Sequence, residues 1–123
     1  MHTIHILGQI IFGGYFIWSG FNHFRNHKML SGYAASMKIP SPVIAVLGTG
    51  LLMVLGGLGI VFSGYLSAMI VDISLLLVII FLVPTTFVMH AFWKHADAGA
   101  KMTDYINFSK NMALVGAALM LMM

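Results

Sequence analysis

Long apolar stretches alternate with short polar segments along this chain. Four stretches have the length of a membrane crossing and cover about residues 3–21, 43–62, 66–93 and 105–123. A helix that crosses a hydrocarbon core about 30 Å thick needs roughly 20 mostly apolar residues. These runs lack the two-residue alternation of a barrel strand, so their backbone groups must be satisfied within helices. The pattern predicts an all-α polytopic membrane protein, a four-transmembrane-helix bundle.

The composition leaves no room for a soluble domain. Of 123 residues, 60% are hydrophobic and 7% are charged, whereas a soluble domain carries about 25% charged residues. We therefore predict a single membrane domain over residues 1–123. The chain has no cysteine, which excludes disulfides, iron–sulfur clusters and thiolate metal ligands contributed by this chain.

The charged residues predict an orientation in the membrane. Most cations lie between the first and second or the third and fourth predicted spans, namely Arg25, Lys28, Lys38, Lys94 and Lys101. Lys and Arg in short loops favour the cytoplasmic side, so we expect loops 22–42 and 94–104 in the cytoplasm and both chain ends outside. The net charge of +3 comes from scattered residues. It indicates contact with the anionic head groups of a lipid bilayer and no nucleic-acid binding.

Glycines predict the faces along which the helices pack. Association in lipid has no hydrophobic driving force, so small residues that allow close backbone approach matter most. The glycines of the first two predicted spans include Gly8, Gly13, Gly14, Gly48, Gly50, Gly56, Gly57 and Gly59. None follows a strand or precedes a Lys-Ser/Thr pair, so no phosphate loop is indicated. Pro84, inside the third predicted span, predicts a kink.

Ionisable residues within the spans are costly in lipid and usually face the bundle interior. Asp72 lies about two turns into the third span, near the depth expected for His5 of the first span. The two side chains form a candidate proton-exchanging pair. The alternative is that Asp72 is a buried, hydrogen-bonded residue that only fixes helix packing.

A second polar level is predicted near the cytoplasmic surface. It contains His23, His90, Lys110 and Asn111, with the aromatic Trp93 nearby. These groups around an apolar slot suit a quinone head group or a small anion. For Lys110 the alternative is snorkelling, in which the ammonium group turns outward to the membrane surface.

Histidine pairs also raise the question of a metal or a haem. His23 and His27 have no carboxylate at ligand spacing, and the five-residue separation of His90 and His95 directs their rings apart on a helix. No haem attachment motif is present. We therefore predict no metal site and no intrinsic cofactor.

Several motifs resemble the DoxX family. They are GYFIWSGFNHF at 14–24, GYAAS at 32–36, IPSP at 39–42, MHAFWK at 89–94 and FSKN at 108–111. The resemblance covers nearly the whole chain and implies a four-helix membrane protein related to the DoxD-type subunit of thiosulfate:quinone oxidoreductase. His90, Trp93, Lys110 and Asn111 match motif positions of the family, although no established catalytic role comes with them.

These observations lead to one functional hypothesis and two alternatives. The hypothesis is a small integral membrane subunit of a membrane-bound oxidoreductase complex, linked to quinone and associated with other membrane subunits in a bacterial or archaeal cell membrane. The first alternative is a non-catalytic accessory or assembly subunit that packs against a larger membrane enzyme complex. A small transporter is less favoured, because no span carries the paired midplane charges expected of one.

Overall fold

The structure, a computed structural model, describes residues 2–122, and all regular structure in that range is helical. The helices are α1 (His2–Arg25), α2 (His27–Ser36), α3 (Pro42–Val61), α4 (Ala68–Met89) and α5 (Ala98–Leu121), with single 3-10 turns at Ser63–Tyr65 and Phe92–Lys94. The predicted all-α class is confirmed. Five α-helices are present where the hydropathy pattern predicted four, because the segment between the first two spans contains α2.

Three segments are long and apolar enough to cross a membrane: Thr3–Arg25, Pro42–Val61 and Ala68–Lys94. They agree with an integral membrane protein. The α5 helix has 24 residues, but it is not among these three segments. It carries the charged residues Lys101, Asp104 and Lys110, which lower its apolar character. A bundle of four membrane-crossing helices therefore stays a prediction.

The start of α5 differs from the sequence prediction. The helix begins at Ala98, well before residue 105, because Asp97 caps it. The Asp97 Oδ2 atom accepts a hydrogen bond of 2.9 Å from the backbone N–H of Ala100, which satisfies one of the unpaired donors at a helix start. The α4 helix, in contrast, continues through Pro84. The predicted bend at that proline stays a prediction.

The long helices share one apolar core. The main contacts join α1 to α3, α3 to α4 and α4 to α5, and α2 packs against α3. The core residues are Phe16, Met53, Ile60, Leu75, Val78, Phe81, Leu82, Val115 and Ala118. Because these residues come from α1, α3, α4 and α5, all four long helices surround the same interior.

The α1–α3 contact depends on glycine. A Cβ atom built on Gly13 would lie 2.7 Å from the Gly57 carbonyl oxygen, and one built on Gly20 would lie 2.6 Å from the Gly50 carbonyl oxygen. These distances are shorter than any packed carbon tolerates, so the packing role predicted for Gly13, Gly50 and Gly57 is confirmed. Gly14 is different, since a Cβ atom there meets nothing within 4 Å.

Candidate functional site

A cavity of about 510 Å³ opens at one end of the bundle, where all five helices contribute residues. Its polar lining consists of Tyr15, Ser19, Asn22, His23, Tyr33, Thr49, Thr85, His90, Lys110 and Asn111. The rest of the wall is almost entirely apolar and includes Met53, Phe81, Leu82 and Val88. Four of the five residues predicted to bind a ligand, His23, His90, Lys110 and Asn111, thus lie around one cavity.

His23 joins α1 to the start of α3. Its Nδ1 atom lies 3.0 Å from the Val46 carbonyl oxygen and 3.1 Å from the Thr49 hydroxyl oxygen. A carbonyl oxygen can only accept, so Nδ1 of His23 carries the proton. The Thr49 hydroxyl donates to the Ala45 carbonyl at 2.6 Å. In the neutral ring of His23 the Nε2 atom is therefore an unprotonated acceptor.

Lys110 reaches from α5 to α1. Its Nζ atom donates a hydrogen bond of 3.0 Å to the Tyr15 hydroxyl and lies 5.4 Å from the centroid of the Tyr15 ring. The contact combines a hydrogen bond with the attraction of a cation for a ring. It links two helices that are far apart in the sequence, and both residues line the cavity.

His90 and His95 converge on one carboxylate. His90 Nδ1 lies 3.2 Å from Asp104 Oδ1, and His95 Nε2 lies 2.5 Å from Asp104 Oδ2. The expectation that the two rings point apart was wrong, because it assumed a continuous helix and α4 ends at Met89. The connector that follows turns through Phe92–Lys94 and brings His95 back toward α5.

Asp104 is ionised at neutral pH. Burial raises the pKa of its carboxyl group, but hydrogen bonds from His95 and His90 and the attraction of their positive charge together outweigh burial. The pKa therefore lies below its ordinary value of 3.8. A carboxylate only accepts hydrogen bonds, so His90 donates through Nδ1 and, like His23, has its neutral-state acceptor at Nε2.

The sequence prediction missed Asp104, because it assigned residues 94–104 to a loop. A signal was present, because Asp97 is a strong N-cap residue and a helix that starts there places Asp104 about two turns inside α5. The Asp104 residue is only 8% exposed. With the helix start assigned correctly, the sequence places a carboxylate on α5 next to a connector that carries two histidines. The observed pairing could then have been predicted.

Trp93 lies away from the cavity, unlike the other four predicted ligand residues. Trp93 is not one of the described residues that line the cavity. Its ring packs edge-to-face on Phe108 of α5, with centroids 5.7 Å apart, and on Phe92 at 5.2 Å. Phe92 in turn contacts Tyr105 at 5.1 Å. This aromatic cluster holds the connector on α5 and so supports the contact between His90 and Asp104.

The other predicted polar level lies at the opposite end of the bundle. His5 lines a second cavity of about 490 Å³ together with Gln9, Ser63 and apolar residues. Asp72 is half-buried on the first turns of α4, next to Val71 of the same cavity. The pairing of His5 with Asp72 stays a prediction.

An apolar layer separates the two cavities. On α4, the buried residue Val78 lies between Leu75 of the smaller cavity and Phe81 of the larger one. Within residues 2–122, no group of three or more His, Cys, Asp or Glu side chains is arranged to hold a metal ion.

Comparison of this chain with models of known protein families, with curated proteins and with solved structures found no match.

Proposed function

We propose that this chain is a small integral membrane subunit of a membrane-bound oxidoreductase complex and that its larger cavity binds the head group of a quinone. The observation that supports this proposal is the convergence of His23, His90, Lys110 and Asn111 on one cavity. Its volume of about 510 Å³ falls within the range of roughly 300–1,000 Å³ that is usual for small-molecule sites.

The chemistry of the lining suits such a ligand. A quinone head group is a flat apolar ring with two oxygen atoms on opposite sides, and it carries electrons between redox partners when bound. Met53, Phe81 and Leu82 supply apolar wall for the ring. The Lys110 ammonium group and the Asn111 carboxamide are donors for its oxygen atoms.

The proposal includes an arrangement in the membrane. In it, α1, α3, α4 and the part of α5 from residue 105 onward cross the bilayer, and α2 lies at the surface. Val115 and Ala118 of α5 are buried, while Leu119 and Met120 are exposed, a division that suits a helix with lipid on one side. Loops 22–42 and 94–104 face the cytoplasm of a bacterial or archaeal cell, and both chain ends face outward.

We further propose membership of the DoxX family, as a relative of the DoxD-type subunit of thiosulfate:quinone oxidoreductase. Two of the segments that carry the resemblance, 89–94 and 108–111, contribute His90, Lys110 and Asn111 to the cavity lining. In this proposal, other membrane subunits of the complex are the partners of the chain.

The test is a binding experiment with a matched pair of variants. The chain is reconstituted in lipid nanodiscs and titrated with a short-chain ubiquinone. Asn111→Ala removes a donor for a quinone oxygen and should weaken binding by roughly fivefold to tenfold, the effect of about one hydrogen bond. Asn107→Ala, one turn earlier on α5, should change it less than twofold, because Asn107 does not line the cavity. Unchanged affinity in Asn111→Ala and Lys110→Ala alike would reject the site.

One observation favours the alternative of a non-catalytic accessory subunit. Cβ atoms built on Gly8, Gly14, Gly48 and Gly116 meet nothing within 4 Å, so these small residues lie on surfaces that the chain does not use for its own packing. Membrane helices use such positions to approach partner helices closely. Purification from the native membrane distinguishes the two functions: a co-purifying redox complex that keeps full activity after removal of this chain would support the accessory role.

A further inference from the structure

The two histidines of the larger cavity are held in the same tautomer. His23 Nδ1 donates to a backbone carbonyl at 3.0 Å, and His90 Nδ1 donates to the Asp104 carboxylate at 3.2 Å. Each neutral ring therefore has its lone pair on Nε2. Neither Nε2 atom has a hydrogen-bond partner among residues 2–122. The cavity thus contains two histidine acceptors, one on α1 and one at the end of α4.

This tautomer determines which oxidation state of the ligand can form hydrogen bonds with the two histidines. A quinol has two hydroxyl groups, and each can donate a hydrogen bond to an Nε2 atom. A quinone has two carbonyl oxygens, which would place lone pairs against the lone pairs of His23 and His90. A site built to accept from a hydroxyl group discriminates strongly against an analogue that lacks it, because its own buried polar atoms are then left unpaired.

We infer that the cavity selects the reduced, dihydroxy form of its ligand, a quinol, over the oxidised quinone, with His23 and His90 as the acceptors of its two hydroxyl groups. This inference rests on the proposed function. It names the form of the ligand that the cavity binds more tightly.

The two acceptors are not equivalent. When His90 takes a hydroxyl proton, the ligand O–H bond breaks, an Nε2–H bond forms, and the electron pair stays on the ligand oxygen. The imidazolium that results faces the ionised Asp104, which stabilises its charge. The Nδ1 atom of His23 faces the Val46 carbonyl and the Thr49 hydroxyl, which are both neutral. His90 therefore accepts the proton, while His23 accepts a hydrogen bond.

Asp104 is a positioning residue for His90 in this scheme. Its Oδ1 atom fixes the tautomer of His90, and its Oδ2 atom is held by His95 at 2.5 Å. A buried aspartate that orients an imidazole and stabilises its protonated form is a known solution in hydrolases. Here the same arrangement faces a cavity between membrane helices.

The tautomers can be measured without any ligand. In the reconstituted chain labelled with ¹⁵N-histidine, NMR should report a protonated Nδ1 and a bare Nε2 for neutral His23 and His90. Protonated Nε2 in either ring would overturn the inference and leave the proposed quinone site untouched.

Binding then tests the selection itself. Under anaerobic conditions the wild-type chain is titrated with a short-chain ubiquinol, the matching ubiquinone and the dimethyl ether of the quinol, which has the same shape and no hydroxyl hydrogen. The quinol should bind roughly tenfold or more tightly than either other compound. Equal affinity for all three would overturn the inference while supporting a quinone site. No binding of any of them would reject the proposed function and this inference together.

A matched pair of variants tests the role of Asp104. In Asp104→Asn the carboxamide can donate to His90 Nδ1, which moves the ring proton to Nε2, so the preference for quinol should fall by roughly tenfold and the ¹⁵N signals of His90 should interchange. Asp97→Asn changes the other carboxylate of the same region, which caps α5, and should keep the wild-type preference. An unchanged preference in Asp104→Asn would overturn the positioning role. If that variant does not fold, the comparison of the three ligands on the wild-type chain still tests the selection of quinol.

Discussion

The α1–α3 contact allows a test in which neighbouring positions of one helix respond differently. Gly13 and Gly14 are adjacent in the interior of α1. A Cβ atom on Gly13 would lie 2.7 Å from the Gly57 carbonyl oxygen and 2.9 Å from the Val61 backbone nitrogen. A Cβ atom on Gly14 meets nothing within 4 Å. Substitution of each glycine by alanine therefore adds the same methyl group to a packed position and to an open one.

The expected magnitude follows from two terms. Alanine is better than glycine in a helix interior by about 1 kcal/mol, and this gain is shared by Gly13→Ala and Gly14→Ala. Only Gly13→Ala adds an overpacking cost, typically about 1–3 kcal/mol. The atoms in its way are backbone atoms of α3, which cannot rotate aside, so the two helices must separate. We expect Gly13→Ala to be less stable than Gly14→Ala by roughly 1–3 kcal/mol.

The assay is equilibrium unfolding of the reconstituted chain in mixed micelles, followed by the helical circular dichroism signal. Gly57→Ala gives an independent check, since its Cβ atom would lie 2.6 Å from the Gly13 carbonyl oxygen. The double variant Gly13→Ala with Gly57→Ala should cost less than the sum of the single changes, because the first substitution already separates the helices. Equal stability of Gly13→Ala and Gly14→Ala would refute the close crossing of α1 and α3.

Three further predictions concern the candidate site. Lys110→Met should lower stability by about 0.5–1.5 kcal/mol in the same unfolding assay through loss of the Tyr15 contact, whereas replacement of the exposed Lys101 by Met should have little effect, and equal effects would contradict the contact. The lowered pKa of Asp104 means that its contribution to stability is complete above its ordinary pKa of 3.8 and is lost as the pH falls through the lower folded-state value; an unfolding series from neutral to acidic pH should show this loss in the wild-type chain and not in Asp104→Asn, and identical pH profiles would contradict it. Trp93→Ala should lower stability by about 0.5–1.5 kcal/mol through loss of aromatic packing and leave ubiquinone affinity within twofold, so a large loss of affinity would return Trp93 to the ligand site.

The sequence predicts the long helices well because their signal is local. A long apolar run predicts a helix because backbone groups in lipid must be hydrogen-bonded within the segment. This prediction needs no information about the neighbouring helices. Helix ends are less well predicted, since they depend on single capping groups. The Asp97 cap shifts the start of α5 to Ala98, and that shift changes which residues, Asp104 among them, belong to the helix.

The sequence predicted which residues form the site better than it predicted the contacts between them. Residue type and depth brought His23, His90, Lys110 and Asn111 together as candidates. The hydrogen bond between Lys110 and Tyr15 joins residues that are 95 positions apart, and no periodicity within one helix predicts it. The same holds for His95 and Asp104, whose contact depends on the path of a short connector.

The two candidate functions use different surfaces of the same helices. The residues proposed to bind a quinol line a cavity to which all five helices contribute, and Gly13, Gly50 and Gly57 hold α1 against α3. Gly8, Gly14 and Gly48 have open space beyond them and would serve contacts with a partner. A binding site inside the bundle and a docking surface outside it do not compete for residues. Loss of ligand affinity in His23→Ala together with intact association would therefore separate the two roles within one chain, whereas coupled loss would place the partner contact at the cavity.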